Sequence, residues 1–468
     1  ENVRVLAEMG ESCLIFVKSK HEARKTARAL AEKVDVGAAA AACEALRARE
    51  ATRARDCLLE TLAHGVGFHN ADLGPEERRI VETAFRAGEV KVLVSTGTLA
   101  AGMNLPARNV FLTAEKWHYD RDMSVPWKAP LSRNEYENMS GRAGRYGAGY
   151  DFGRAVLIGV TPFDFETLWR RYIEGAREPV EPRLAKEPLE NHVLRLIASR
   201  CCRTAAEVHA FLEETLTGKW IWAERYTSEE IAFRVGAAIN RCMDAGMIAQ
   251  DSEGRCEATP LGLATSSKGI TIATAREFEH WIRESETRAF SPLDLILAAA
   301  SAPDGRMTQV MLTAREYEQG GYPERLKEAA RGESYHADTP LNRLRHCLLQ
   351  PFFEEVRAIK IALFLDAWIE HAALRAIEEE YDTMSGQVLA AAEQASWLVD
   401  AASAIAVALG CAPGFVERIE TLAARLQYGV RAEMLPLARL EVKGLERKHL
   451  LALAEADLDC PETLARAE

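Results

Sequence analysis

Arg142 and Arg145 stand three residues apart in EYENMSGRAGRYG, residues 135–147, beside Gly141, Ala143 and Gly144. A guanidinium keeps its charge and its planar fork binds phosphate oxygens in pairs, while glycines let a backbone come close to an anion. Two arginines at this spacing can reach one phosphate. The same two at a solvated helix end would only face water.

A second candidate is KVLVSTGTLAAGMNLPARNV, residues 91–110, an apolar run that passes directly into hydroxyls, a glycine and a helix start. Ligands of open α/β sheets bind at the carboxyl ends of the strands. Ser95, Thr96 and Thr98 can offer hydroxyls and backbone N–H groups to a phosphate there, and Gly102 and Asn104 permit a tight turn nearby. A third candidate is LIFVKSKHEA, residues 14–23, where Ser19 is a natural N-cap for the helix that follows. His69 in GFHNADL sits at the end of another apolar run, where a histidine can serve a ligand or simply close a strand.

The elements that must carry these residues are legible in the patterning. CLIFV at 13–17, KVLVST at 91–96, NVFLT at 109–113 and AVLIG at 155–159 are short apolar runs separated by amphipathic helical stretches, among them residues 21–33 and 75–87. Strands buried on both faces read as continuous apolar runs, so this alternation predicts an α/β domain with a parallel sheet. Pro75 opens its helix where a missing N–H costs nothing. EPVEPRLAKEP, residues 178–188, carries three prolines and marks a domain boundary. Three helical patterns follow near 189–200, 204–216 and 227–245, and then a period-two segment turns at SEGR. Three helices and a hairpin resemble a winged helix. From Ala275 to about Gln427 the chain is rich in Ala, Leu and Glu and reads as a helical bundle, and residues 435–468 read as two short helices broken at Gly444.

Length and composition bound the alternatives. At about 150 residues per domain, 468 residues make roughly three domains. Charged residues are 27% and the hydrophobic set 48%, which excludes wholesale disorder. Lys and Arg number 58 against 70 Asp and Glu, for a net charge of −12, so a nonspecific polycation is excluded but a basic groove is not. The most apolar stretch, residues 401–415, is shorter than a membrane span and contains Ser403, Gly410 and Pro413. Ten cysteines form no CxxC pair, so no zinc site or disulfide framework is expected, and a reducing cytoplasm is the default location. The chain opens at Glu1 and reads as a fragment that begins mid-protein.

In joint order and spacing the segments resemble the second RecA-like domain of a superfamily 2 DExH helicase. LIFVKSK resembles motif IV, FHNADL motif IVa, STGTLAAGMNLPAR motif V and NMSGRAGR motif VI. The resemblance is closest to the Ski-like branch, which contains HELQ, the archaeal fork-repair helicases and the helicase region of DNA polymerase theta. It implies a multidomain protein: an α/β RecA-like domain with a parallel sheet over 1–180, a winged helix over 181–270, a helical ratchet bundle over 271–432 and a helix-hairpin-helix-like tail over 433–468. It also implies ATP and Mg²⁺ as cofactors and single-stranded or forked DNA as partner, with 3′ to 5′ movement in DNA repair or antiviral defence. An RNA helicase of the same superfamily is the alternative, and so is a noncatalytic nucleic-acid-binding subunit.

The resemblance assigns roles residue by residue. Arg142 and Arg145 would be catalytic, and Gly102, Asn104, Asn138 and Gly141 would join them around ATP. Ser19, His69, Ser95, Thr96 and Thr98 would contact the nucleic acid. Trp117, Tyr119 and Trp127 fall where the family places a strand-separating hairpin, and Trp397 lies in the counterpart of the ratchet helix, where an aromatic stacks on a base. No metal ligand is assigned in this chain.

The chain departs from the family pattern in several places. Asn70 and Asp72 replace the usual HHAGL residues of motif IVa, which puts an acidic side chain beside the predicted nucleic-acid surface. Asn138 replaces a glutamine, and Ala390 stands where a basic residue usually precedes the ratchet aromatic. Gly444, Leu445 and Glu446 replace a glycine-hydrophobic-glycine phosphate nest, so duplex binding by the tail is not expected. No GxxxxGK[ST] loop and no DExH box occurs in the 468 residues. A phosphate cradle and a metal-holding carboxylate must then come from a first RecA-like domain, in cis or on a separate chain, and this chain alone is expected not to hydrolyse ATP. A further protein partner subunit is compatible with that division.

Overall fold

The computed structural model describes every residue except 98–104, 119–126, 146, 148, 150, 160, 162–163, 289, 332–337, 441 and 466–468. Trp117 and His118 are described by their backbone alone. The chain forms two compact units, one of Glu1–Pro179 with Ala373–Leu389, the other of Val180–Ala372 with Ala390–Glu468.

In the first unit the apolar runs become β1 (Cys13–Phe16), β2 (Val66–His69), β3 (Val92–Ser95), β4 (Asn109–Thr113) and β7 (Arg154–Ile158), in spatial order β2-β3-β1-β4-β7. Every pairing among them is parallel, with Phe16 opposite both Ser95 and Leu112, and His69 opposite Ser95. All carboxyl ends therefore lie along one edge. The helices are α1 (Asn2–Glu8), α2 (Lys20–Ala31), α3 (Ala40–Arg47), α4 (Arg53–Leu62), α5 (Pro75–Arg86), α6 (Arg133–Ser140) and α7 (Asp164–Trp169). Leu14, Leu58, Leu62, Phe68, Leu93 and Tyr172 are among the fully buried side chains of this core. After β4 the chain leaves the sheet as an antiparallel ribbon, β5 (Glu115–His118) with β6 (Trp127–Pro130), and α7 runs on into a π-turn at Arg170–Glu174.

Ala373–Leu389, expected from sequence within the bundle, belongs to this α/β unit. The reason is a set of backbone caps. One carboxylate, Glu378, accepts from the amide of Arg53 at the start of α4 (2.5 Å) and from the amide of Ser385 (2.7 Å), so it caps two helix starts at once. Gly386 donates to the Asp72 carbonyl and sits so close to residues 71–73 that a Cβ would lie 2.4 Å from the Ala71 oxygen.

The second unit begins with helices at Leu189–Ala198, Ala205–Glu213 and Ser228–Asp244, the last packed on the first two. A two-stranded antiparallel hairpin follows, β8 (Ile248–Gln250) with β9 (Cys256–Ala258). From Ile272 onward the unit's described elements are helical, including the long helices Phe353–Ile369 and Pro413–Tyr428 and, from Ala390, the remainder of the helix Ser385–Ala408. Trp281 anchors this region by donating to Asp294 (3.1 Å), meeting Phe290 edge-on and stacking near Phe415. Val430, Met434, Leu435, Leu437, Ala438 and Leu450 form a small separate core at the C-terminal end. No helix among the described residues is long and apolar enough to cross a membrane.

Candidate functional site

The loop of Arg142 and Arg145 is positioned by α6, whose start is doubly capped. Ser132 accepts from the Glu135 amide (3.1 Å) and Glu135 accepts from the Ser132 amide (2.8 Å). The helix ends at Ser140, and the loop is then stitched to the segment preceding β4, with Ala107 N–H donating to the Arg142 carbonyl (3.0 Å) and Gly144 N–H to the Ala107 carbonyl (2.9 Å). Gly144 has φ +58°, a left-handed conformation that glycine adopts without a Cβ penalty.

The two arginines are not equivalent. Arg142 is 5% exposed, whereas Arg145 is exposed. Burial, and secondly the charge of Arg145, holds the Arg142 guanidinium below the usual arginine range. Two neighbouring like charges, one of them desolvated, make a place where an added anion is favourable. Asn138 and Gly141 lie exposed on and just after α6. Gly102, Asn104, Thr98 and Tyr119 lie outside the described residues.

At the carboxyl edge of the sheet, several predicted contact residues are engaged within the unit. Ser19 caps α2 by accepting from the Glu22 amide (3.1 Å). Ser95 is fully buried, and its hydroxyl bridges to the carbonyls of His69 (2.9 Å) and Thr96 (3.0 Å), joining β2 to β3. His69 is buried too, with Nε2 at 2.9 Å from Glu82 Oε1 in α5. Burial outweighs the pull of Glu82 and lowers the His69 pKa, so the ring is held toward its neutral form. Thr96 is nearly buried beside them.

Asp72 requires a correction. It does not present an acid to the surface. It is buried, paired with Arg24 and with Lys20 (3.5 Å), and accepts from the Gln387 amide nitrogen (3.1 Å). Asn70 completes the arrangement, accepting from the Asp72 amide (2.9 Å) and donating to the Lys20 carbonyl (3.1 Å). These two residues tie the loop to α2 and to residues 385–389. Neither partner segment is near them in sequence, so spacing offered no sign of this.

The ribbon of β5 and β6 places Trp127 opposite His118, and Trp127 is 38% exposed. At its base, Leu131 N–H donates to the Ala114 carbonyl (2.9 Å). Tyr172, from the π-turn, brings its hydroxyl to the carbonyls of Leu131 (2.9 Å) and Ala114 (3.1 Å).

In the second unit Trp397 is half-buried, and its indole N–H donates to the Lys268 carbonyl (2.8 Å) while Lys268 Nζ pairs with Asp400 (2.6 Å). One edge of the ring is thereby fixed. Ala390 is exposed, and no cation stands at that position. Near the tail, Arg447 lies 3.9 Å from the Trp368 ring and donates to the carbonyls of Gly429 (2.7 Å) and Ala372 (2.7 Å), so the residue after the altered nest serves packing. Among the described residues no group of His, Cys, Asp and Glu could hold a metal ion.

Residues 1–147 match the family described as helicase conserved C-terminal domain, and residues 307–429 match the family described as archaeal helicase, domain 4. The parallel sheet with its arginine loop and part of the helical region thus each match a domain family of helicases. The chain is similar to the C-terminal portion of superfamily 2 helicases of the Ski-like branch that includes Hel308. It is 30% identical to the ATP-dependent DNA helicase Hel308 of Pyrococcus horikoshii over 450 residues, which is 94% of this chain and 58% of that protein. It is 31% identical to Hel308 of Pyrococcus abyssi over 98% of this chain and 61% of the relative, and 29% identical to that of Pyrobaculum calidifontis with the same coverages. The chain spans about three-fifths of the length of these curated relatives.

Proposed function

We propose that this chain works as one half of an ATP-dependent DNA helicase that moves 3′ to 5′ along single-stranded or forked DNA, in the cytoplasm, in repair or genome defence. The observation that carries the reading is the arginine pair on a stitched loop, in a chain matched over 94–98% of its length by ATP-dependent DNA helicases. Those relatives are DNA helicases by name, which favours DNA over RNA.

Arg142 and Arg145 bind the terminal phosphate of ATP from one side of a cleft, and a first RecA-like domain supplies the Walker A loop, the DExH box and the Mg²⁺ ligands from the other. The residues present fit the phosphate end, because the paired cations, on a loop held against the Gly153 backbone, oppose developing negative charge. ATP supplies the free energy of movement. Along the sheet edge, Thr96 and backbone amides hold phosphates without reading bases, a role Thr98 shares, while Ser19, Ser95 and His69 shape that edge through their own hydrogen bonds. The β5–β6 ribbon, with Trp117, Tyr119 and Trp127, meets the duplex end. Residues 181–270 act as a winged helix, 271–432 as a ratchet in which Trp397 stacks on a base, and 433–468 as a small tail domain.

The test is unwinding by the enzyme with both ATPase halves present, on forked DNA and forked RNA of one sequence. Preferential opening of forked DNA with a 3′ single strand is expected. Preference for RNA, or for a 5′ strand, overturns the reading.

A further inference from the structure

We infer that Tyr172, together with the Lys116–Glu135 ion pair, joins the base of the β5–β6 ribbon to α6, the helix that leads into the loop of Arg142 and Arg145, so that ribbon and arginine loop move as one body. The inference rests on the proposed strand-separating role of the ribbon and names what would transmit motion to it.

Three observations converge. First, continuity is direct: β6 ends at Pro130, and after Leu131 the chain enters the N-cap Ser132 of α6, which ends one residue before Gly141. Second, Tyr172 is 1% exposed and its single hydroxyl spans both strands of the ribbon base, at the Ala114 and Leu131 carbonyls, while its ring lies 5.2 Å from that of Tyr136 on α6. One side chain thus bonds to the residues that flank the two ribbon strands at their base and packs on the helix that leads into the arginine loop. Third, Lys116 on β5 pairs with Glu135 on α6 (2.5 Å), and the same carboxylate caps Ser132.

The segment after the π-turn closes the joint from outside. Glu178 accepts from the amides of Arg133 (2.7 Å) and Asn134 (3.0 Å), the first two residues of α6, and Arg133 donates to the Gly175 carbonyl (3.0 Å). A two-stranded ribbon alone is marginally stable in water. It can push on a base pair only if its base is held, and here the holding groups belong to the same helix that ends at the phosphate-binding arginines. π-turns are uncommon and often mark functional positions, and this one places the phenol between the two strands.

The experiment uses the enzyme with both ATPase halves and compares Tyr172→Phe, Lys116→Met and the double variant with Trp127→Ala. Phenylalanine keeps the ring packing and removes only the hydroxyl. DNA-stimulated ATP turnover and single-strand translocation are expected to stay within about twofold, while base pairs opened per ATP fall roughly three- to tenfold for Tyr172→Phe, the size of one lost hydrogen bond. The double variant falls further. If Trp127→Ala unwinds poorly and the joint variants unwind normally, the joint is refuted and the ribbon's role stands. If Trp127→Ala and deletion of residues 119–126 both leave unwinding intact, the ribbon reading itself fails. If Tyr172→Phe lowers ATP turnover and unwinding in equal proportion, the residue is merely structural and the inference is overturned.

Discussion

Gly144 and Gly153 meet backbone to backbone: a Cβ on Gly144 would lie 2.3 Å from the Gly153 nitrogen, and one on Gly153 would lie 2.2 Å from the Gly144 nitrogen. The arginine loop therefore rests on a second loop outside its own motif. That second loop is held by Phe152, whose ring centroid lies 4.4 Å from the Arg108 guanidinium and 4.7 Å from that of Arg154, and both arginines pair with Glu11.

Gly153→Ala should displace the arginine loop. Because the clash is with backbone, nothing flexible can yield, and overpacking of this kind costs about 1–3 kcal/mol. The expected result in the complete enzyme is a folded protein whose ATP kcat drops more than roughly tenfold with a smaller change in KM, because the loss falls on groups that act on the transition state. Steady-state ATPase kinetics and a melting curve check it.

Arg145 is exposed, so its removal should cost folding little while it removes charge stabilisation of the phosphoryl group. Arg145→Ala should lower stimulated turnover by about 10³-fold, the scale of a lost arginine in phosphoryl transfer, with the melting temperature unchanged. Near-normal turnover would refute the role proposed for it.

Trp397 offers a contrast of magnitudes. A base-stacking aromatic contributes about 1–3 kcal/mol per base, whereas a core tryptophan cut to alanine costs about 3–5 kcal/mol of stability. Its ring is half-buried with the indole N–H fixed on Lys268. Trp397→Ala in the complete enzyme should remain folded and hydrolyse ATP yet unwind poorly. Early melting with loss of every activity would make it a core residue.

His69 gives a pH dependence. Burial first, against the opposing pull of Glu82, lowers its pKa below the usual 6.5. A base whose folded pKa is depressed binds fewer protons folded than unfolded, so its contribution to stability is present above about 6.5 and is lost as pH falls through the lowered folded value. Stability should therefore decline as pH drops below about 6.5, and His69→Asn should flatten that part of the profile. Denaturant midpoints measured from pH 7.5 to 5 report the slope, and an unchanged slope in the variant would contradict the assignment.

Local order in the chain carried much of this. Continuous apolar runs at 13–17, 91–96 and 109–113 specify strands covered on both faces, Pro75 and Ser19 mark helix starts, and GRAGR declares its arginines by spacing alone. These are signals of periodicity and residue type over a few positions, which a sequence displays directly.

What the tertiary structure decided lies between distant positions. Asp72 looked like an exposed acid and is buried against Arg24, Lys20 and Gln387, because residues 385–389 return to the sheet unit more than 300 positions later. Glu378 caps α4 across a similar separation. Ser95 and His69 read as ligand groups and bond within the unit, because parallel register sets β2 and β3 side by side. Gly153 and Tyr172 carried no motif at all, and their importance arises from backbone approach and from one hydroxyl spanning two strands. Local propensity determines which elements form; only closure of the chain on itself determines which polar groups remain free to meet a ligand.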